Sequence, residues 1–337
     1  MQRTLPTSRK RCSHESTVAE LFFSLMDYRN NLFTSNDIKD VIKFYDSFQN
    51  RDDLIEWMKE RPRGATYIHE VEGDKDIIVV IPTADFYGKY ARECRENIFK
   101  GLHIIFVESA EILDPYFNYA HNCNVGIDRA LNYDPKWIVV SNDDMYKIDE
   151  ADYLKSSLSE LDEKECALVI AHSGKGPSFK LSIGKKRLSY DVYRLFKHRP
   201  IGRIYNKFNI KYFYVIDSIK KSALLFKRIP DISFISFTAF SIHSAAYLRN
   251  KMGGKPFDEV YINEHEDLDL AFQLFLNKAR TFSIGYRIGS EFGSSLGTSN
   301  VRGFRQVCGR AYFNFKYEKM LDYLRQRGSY SDDYIAS

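Results

Sequence analysis

The chain has few cysteines, and none of them form a recognisable pair. Its 337 residues contain five, without a Cys-x-x-Cys motif and without a histidine at zinc-finger spacing: Cys12, Cys94, Cys123, Cys166 and Cys308. This scatter argues against a disulfide framework and against a structural zinc site. We therefore expect reduced thiols and a cytoplasmic protein.

Long apolar runs are also missing. The longest one, Ile232 to Tyr247, is interrupted by several serines and by His243, so the sequence predicts no membrane-spanning helix. Residues 1–14 are polar and basic, which is unlike a secretory leader. We expect a protein that is dissolved or that lies peripherally on a membrane surface.

Two nucleotide-binding signatures and one metal-binding signature do not occur. The sequence has no Gly-x-Gly-x-x-Gly after its first apolar strand and no Gly-x-x-x-x-Gly-Lys-Ser/Thr phosphate loop, which argues against a dinucleotide oxidoreductase and a P-loop nucleotidase. His-Glu-x-x-His is absent as well, so the common zinc peptidase pattern is excluded. Evidence for function must come from the acidic and basic clusters that are present.

The order of elements predicts an α/β protein. Apolar residues at helical spacing over residues 16–63 indicate a helical addition, which we place with a disordered basic start at residues 1–75. An apolar run, Ile77–Pro82, then begins an alternation of strands and helices that reaches Ser141. Such alternation is typical of a mostly parallel central sheet flanked by helices, predicted for residues 76–330. Ligands of such sheets bind at the carboxyl ends of the strands.

A basic insertion interrupts this domain at residues 174–230. The insertion contains fifteen Lys and Arg against two Asp, with Tyr and Phe interleaved. A basic amphipathic helix is also predicted from Phe304 to Arg327. This composition suits an anionic membrane surface, single-stranded nucleic acid or simply a solvated face. We expect membrane contact and no nucleic acid, and we keep a nucleic-acid-binding protein as an alternative function.

One acidic cluster lies at a predicted strand end. Asn142, Asp143 and Asp144 follow directly on the apolar segment Trp137–Ser141. Carboxylates at such a position can hold Mg²⁺ or Mn²⁺ through one or two oxygens and leave the remaining coordination sites to water and a diphosphate. Asn and Asp also favour solvated turns, so the cluster predicts either a cation site or a turn.

A second acidic cluster opens a predicted helix, Asp267 to Lys278. Glu266, Asp267 and Asp269 stand close together here, and acidic residues in a first helical turn are favoured by the helix dipole. This cluster alone therefore predicts no more than a helix start. Like charges nearby should raise the proton affinity of Asp267, which is a property that a general base needs.

The order of these motifs resembles the nucleotide-sugar glycosyltransferases of the GT-A fold, in particular the large inverting family 2. The likeness covers residues 76–150 and 236–320. The family more often has Asp where Glu108 stands, and often a His where Ser290-Glu291 stands. Five segments carry the likeness: a strand ending in Pro82-Thr83, a strand with Glu108, a helix with Asn124-x-Gly126, Asn142-x-Asp144 and Glu266-Asp267-x-Asp269-Leu270.

The resemblance implies a site and a reaction. Asp144 would bind Mn²⁺ or Mg²⁺, and Asp267, with Glu266 beside it, would be the catalytic base for a hydroxyl on a glycan, lipid or protein acceptor. The sugar would be transferred with inversion. A nucleotidyltransferase of similar sheet topology is the other alternative, although Thr83–Lys89 is a poor phosphate loop. Seven residues would contact the UDP, GDP or dTDP sugar donor: Pro82, Thr83, Glu108, Asn124, Gly126, Asn142 and Asp143.

Overall fold

A computed structural model describes most of the chain as one mixed sheet with helices on both of its faces. The described residues are 47–109, 115–172, 178–182, 231–235, 239–290 and 300–321, together with Arg29, Lys43, Phe44 and Phe237. Three predicted features therefore lie wholly or mostly outside the described residues: the basic insertion, the helices before residue 47 and the disorder expected at the start of the chain.

The strands and helices are numbered in chain order. The strands are β1 (Thr66–Val71), β2 (Asp74–Thr83), β3 (Leu102–Ser109), β4 (Trp137–Ser141), β5 (Met145–Lys147), β6 (Leu168–His172), β7 (Ser178–Ser182), β8 (Asp231–Ile235), β9 (Phe240–Ser244) and β10 (Thr281–Ser290). The helices are α1 (Arg51–Glu60), α2 (Lys89–Glu93, continued by a π-helical turn at Cys94–Ile98), α3 (Tyr119–Leu131), α4 (Ala151–Ser159), α5 (Ala245–Met252), α6 (Glu266–Leu276) and α7 (Asn300–Lys316).

The main sheet has the strand order β1-β3-β2-β4-β9-β6-β10-β5. Three strand pairs are parallel, because β2 pairs in parallel with both β3 and β4, and β6 pairs in parallel with β10. Four other pairs, β1-β3, β4-β9, β6-β9 and β5-β10, are antiparallel. The predicted mostly parallel sheet is therefore corrected to a mixed one. Central strands are apolar whichever way they run, so the pattern of β9 could not reveal its direction.

The strand β2 explains why the core has two halves. Ile78 and Val80 face one side of the sheet, where α3 covers them. Ile77, Val79 and Ile81 face the other side, towards α2 and α4. All five side chains are at most 4 % exposed, as expected for a strand that reads as a continuous apolar run.

The region before β2 belongs partly to the sheet. Helix α1 buries Leu54, Trp57 and Met58 in the same core half as α3. Strand β1, which lies inside the predicted N-terminal addition, pairs with β3 at the edge of the main sheet. Among the residues that the structure describes, no helix combines the length and the apolar character needed to cross a membrane.

Candidate functional site

The connections of the parallel strands create a crevice at one edge of the sheet. The chain passes from β2 to β3 on one side of β2, then crosses through α3 to β4 on the other side. Helices α2 and α3 pack on opposite faces of the sheet. Open α/β sheets bind their ligands at such a switch point, outside the carboxyl ends of the two strands. Here those ends are Thr83 of β2 and the residues after Ser141 of β4.

The residues after β4 form the acidic edge, defined as Asn142, Asp143 and Asp144. The hydroxyl of Thr83 donates to Asp143 Oδ2 at 2.8 Å, which joins the two strand ends. The backbone N–H of Asn142 donates to the carbonyl of Ala239 at 2.8 Å, so the edge is also tied to the segment before β9. The fold thus brings four predicted site residues together: Thr83, Asn142, Asp143 and Asp144.

The acidic edge is electrostatically costly without a ligand. The pKa of Asp143 is raised to about 6, mainly by burial and also by the charge of the neighbouring Asp144, while the hydrogen bond from Thr83 opposes the shift. Asp144 is only 2 % exposed. Adjacent carboxylates in such surroundings resist being ionised together, and a cation placed between them would remove that cost.

The donor set of the acidic edge suits a hard cation that shares its ligands with a substrate. Among the described residues, no group of three or more His, Cys, Asp and Glu side chains is arranged to hold a metal ion. Mg²⁺ does not require such a group, because one or two carboxylates suffice when substrate phosphates and water complete the coordination. Asp143 and Asp144 meet that requirement.

Pro82 and Glu108 lie at the same edge as Thr83. Pro82 is buried and pairs in register with Val107 of β3. Glu108 is engaged within the protein, because its Oε1 accepts from the backbone N–H of Phe86 at 2.9 Å. Its Oε2 lies 2.7 Å from His69 Nε2. The Glu108 carboxylate therefore shapes the loop that follows β2.

Three residues in this loop region were missed by the sequence analysis. The His69 ring stacks on the Phe86 ring at 4.2 Å with the planes 5° apart. The guanidinium of Arg95 lies over the same ring at 5.0 Å and donates to the Phe86 carbonyl at 2.7 Å. His69 lies on β1, and no sequence motif indicated that β1 lies next to β3. Only the antiparallel pairing of these two strands could have indicated the contact between His69 and Phe86.

Asn124 and Gly126 lie inside the fold. The side chain of Asn124 donates to the carbonyl of Phe257 at 2.8 Å and to Glu259 Oε1 at 3.0 Å, and it accepts from the Phe257 N–H at 3.1 Å. A Cβ on Gly126 would lie 2.3 Å from a methyl carbon of Val80. Both residues hold α3 against its surroundings, and their role as donor contacts stays a prediction.

The second cluster lies at the start of α6, where Glu266 and Asp267 differ in surroundings. Glu266 is 7 % exposed and its Oε2 accepts no hydrogen bond from the described residues. Burial raises its pKa well above the ordinary value, Asp267 adds to the shift, and Arg305 opposes it. Asp267 is half-buried, and its Oδ1 accepts from the Leu268 N–H at 2.7 Å. The raised proton affinity of Asp267 stays a prediction, and Glu266 beside it has a pKa raised by burial.

The remaining acid of this motif, Asp269, is a structural anchor. Its side chain is fully buried and accepts four hydrogen bonds. Oδ1 accepts from the hydroxyls of Tyr261 and Tyr317, and Oδ2 accepts from Gln273 Nε2 and Lys316 Nζ, all between 2.6 and 3.1 Å. Asp269 therefore attaches α6 to the end of α7, which sequence spacing could not show.

The segment that precedes the second acidic cluster is attached to the start of α3, which lies near the carboxyl end of β3. Helix α3 follows β3 and begins beside the carboxyl end of that strand. The side chain of Asn118, which caps α3, donates to the carbonyls of Glu259 and Tyr261 at 2.8 and 2.9 Å. This fixes the segment that leads into α6 to the start of α3.

Comparison with known proteins does not assign the chain to a family. No protein-family model matches it, and no curated protein sequence matches it.

Proposed function

We propose that this protein is a metal-dependent glycosyltransferase of the GT-A type, which moves a sugar from a nucleotide diphosphate to an acceptor hydroxyl with inversion. The single observation that carries the proposal is the acidic edge at the switch point of β2 and β4, where Thr83 holds Asp143. A nucleotide sugar combines a diphosphate, which needs a cation, with a base and ribose that fit such a crevice.

The acidic edge would bind the diphosphate of the donor through a cation. Asp144, with Asp143 beside it, would bind Mn²⁺ or Mg²⁺, which neutralises the charge that develops on the diphosphate as it departs. The hydrogen bond from Thr83 holds the Asp143 carboxylate at the carboxyl end of β2. Two buried carboxylates repel each other, and a bound cation would relieve that repulsion. The cation would lie where negative charge develops on the departing diphosphate.

The start of α6 would supply the base. Asp267 is half-buried and so is open to an acceptor hydroxyl, whereas Glu266 beside it is buried. Burial raises the pKa of Glu266, and we assign the proton transfer to Asp267 because it is the more exposed acid of the pair. Attack from the face opposite the diphosphate inverts the anomeric carbon. The acceptor would be a glycan, a lipid or a protein, with the basic insertion at a membrane surface.

The test is a donor screen by thermal shift with UDP, GDP and dTDP sugars, each with and without Mn²⁺. A ligand that binds only the folded state stabilises it by mass action, so we expect one nucleotide to raise the melting temperature only with metal. Asp144→Asn should abolish this shift, whereas the exposed control Asp128→Asn on α3 should retain it. A metal-independent shift, or a full shift in Asp144→Asn, would contradict the proposal.

A further inference from the structure

Lys316, the last residue of α7, contacts the second acidic cluster at Asp269. We infer that Lys316 is a positioning residue, which holds the turn before α6 and thereby orients Asp267. The inference rests on the proposed function only where it concerns turnover, because the positioning itself can be measured without a substrate.

Lys316 connects the two ends of the turn that leads into α6. Its Nζ donates to Asp258 Oδ2 at 2.7 Å and to Asp269 Oδ2 at 2.8 Å. Asp258 precedes the turn, and Asp269 lies in the first turn of the helix. One ammonium group therefore fixes the distance between the beginning and the end of residues 258–269.

Two tyrosines also donate hydrogen bonds to the carboxylates that Lys316 joins. Tyr312 on the same helix donates to Asp258 Oδ2 at 3.1 Å, and Tyr317 donates to Asp269 Oδ1 at 2.8 Å. Asp269 has no exposed surface, and the Lys316 side chain is 25 % exposed. Removal of the ammonium would leave two nearby carboxylates without their shared cation, a state that proteins avoid because buried charges need partners.

Two residues of the turn that Lys316 spans have a left-handed backbone conformation. Asn263 and His265 have φ values of 54° and 80°, in the left-handed region that residues other than glycine adopt at an energetic cost. Helix α7 lies directly against this turn, because a Cβ on Gly309 would be 2.5 Å from the Glu264 carbonyl oxygen. Such a conformation persists only where the surroundings impose it.

The position of Asp267, and with it the proposed proton transfer, therefore depends on the turn before α6. Asp267 follows His265 by two residues, so a change in the backbone of the turn redirects its side chain. A displacement of about 1 Å in a reacting group can lower turnover about 100-fold. Lys316 would therefore affect turnover although it is not among the proposed donor contacts, which lie on β2, β3 and α3 and directly after β4.

The first test compares Lys316→Met, Lys316→Arg and the exposed control Lys319→Met. Hydrogen exchange of the amides of residues 263–268 should be faster in Lys316→Met than in the wild type. Lys316→Arg should restore slow exchange, because a guanidinium can also donate to two carboxylates, and Lys319→Met should have no effect. Unchanged exchange at residues 263–268 in folded Lys316→Met would overturn the inference.

The second test measures transfer with the donor identified in the thermal screen. Lys316→Met should lower kcat by about 10- to 100-fold while the dissociation constant for the donor with Mn²⁺ stays the same, and Lys316→Arg should recover most of the loss. Equal kcat in Lys316→Met and the wild type would overturn the inference. If Lys316→Met does not fold, Asp258→Asn serves instead, because it removes one of the two carboxylates that Lys316 joins and leaves Asp269 paired. Faster hydrogen exchange at residues 263–268 in this variant supports the inference, and exchange at the wild-type rate overturns it. If the wild type transfers no sugar, the proposed function fails, and the exchange measurement still decides the role of Lys316.

Discussion

Acid should destabilise this protein through His243, which lies fully buried on the central strand β9. Its Nε2 is 2.8 Å from the Ser241 hydroxyl, and its ring meets the Phe237 ring edge-on at 5.5 Å. Burial lowers the pKa of His243 to about 3 from an ordinary value of 6.5. The unfolded chain therefore binds a proton below pH 6.5, and the folded chain binds it only near pH 3.

The magnitude follows from linkage between protonation and folding. Stability contributed by the neutral imidazole is fully present above pH 6.5 and is lost as pH falls towards 3, because only the unfolded state gains a proton in this range. At 1.36 kcal/mol per pKa unit, the loss from this one residue is about 2 kcal/mol at pH 5 and close to zero at pH 7.5. A loss of this size is a large part of the stability of an ordinary domain.

The assay is urea unfolding followed by circular dichroism at pH 7.5 and pH 5. His243→Gln keeps a polar group within reach of Ser241 but has no titrating group. Between pH 7.5 and pH 5, the difference in unfolding free energy between the wild type and the variant should therefore shift by about 2 kcal/mol in favour of the variant. Ser241→Ala is the control, because it removes the hydrogen bond without removing a titrating group, and its effect should be equal at both pH values. A wild-type-to-Gln difference that does not change with pH would refute the reasoning.

Three further predictions concern the site itself. Asp267→Asn should lower turnover by about 10²- to 10⁴-fold with donor affinity unchanged, since a general base contributes that much; a large loss in Glu266→Gln instead would move the base by one residue. Gly126→Ala should destabilise the fold by about 1–3 kcal/mol through overpacking, measured by urea unfolding against the exposed control Asp128→Ala. If the variant instead has normal stability and binds the donor more weakly, Gly126 contacts the donor. Glu108→Ala should speed hydrogen exchange of the Phe86 amide on the order of 10-fold, since that N–H loses its acceptor, and wild-type exchange would disprove the role of Glu108 in the loop.

The edge of the sheet was predictable because it depends on local patterns. The apolar run of β2 and the segment Trp137–Ser141 both indicated buried strands, and parallel strands present their carboxyl ends at one edge. Thr83 and Asp143 could therefore be expected near each other, although they are far apart in the sequence. The hydrogen bond between them is the direct outcome of that rule.

Contacts between distant segments could not be predicted in the same way. The pattern of α6 indicated a helix from Asp267 to Lys278, and the structure has Glu266–Leu276, with Lys278 in the left-handed region at φ 51°. Nothing in the spacing of acids distinguished Asp269, which binds α7, from Asp267, which does not share that anchor. The helix predicted from Phe304 begins earlier, at Asn300, and its Lys316 has its partners 47 and 58 positions away in the chain.

The separate two-stranded ribbon has a consequence for how the basic insertion could be exchanged. Strands β7 and β8 pair antiparallel, with Ser182 opposite Asp231, so the chain leaves and re-enters the described structure at neighbouring points. A segment whose ends are already held together needs little additional closure entropy when its length changes, because that entropy grows only slowly with loop length. Residues 183–230 could therefore be replaced by a short turn, or by a foreign domain, while the ribbon itself closes the gap. The ribbon would thus allow the residues between β7 and β8 to be changed without altering the main sheet.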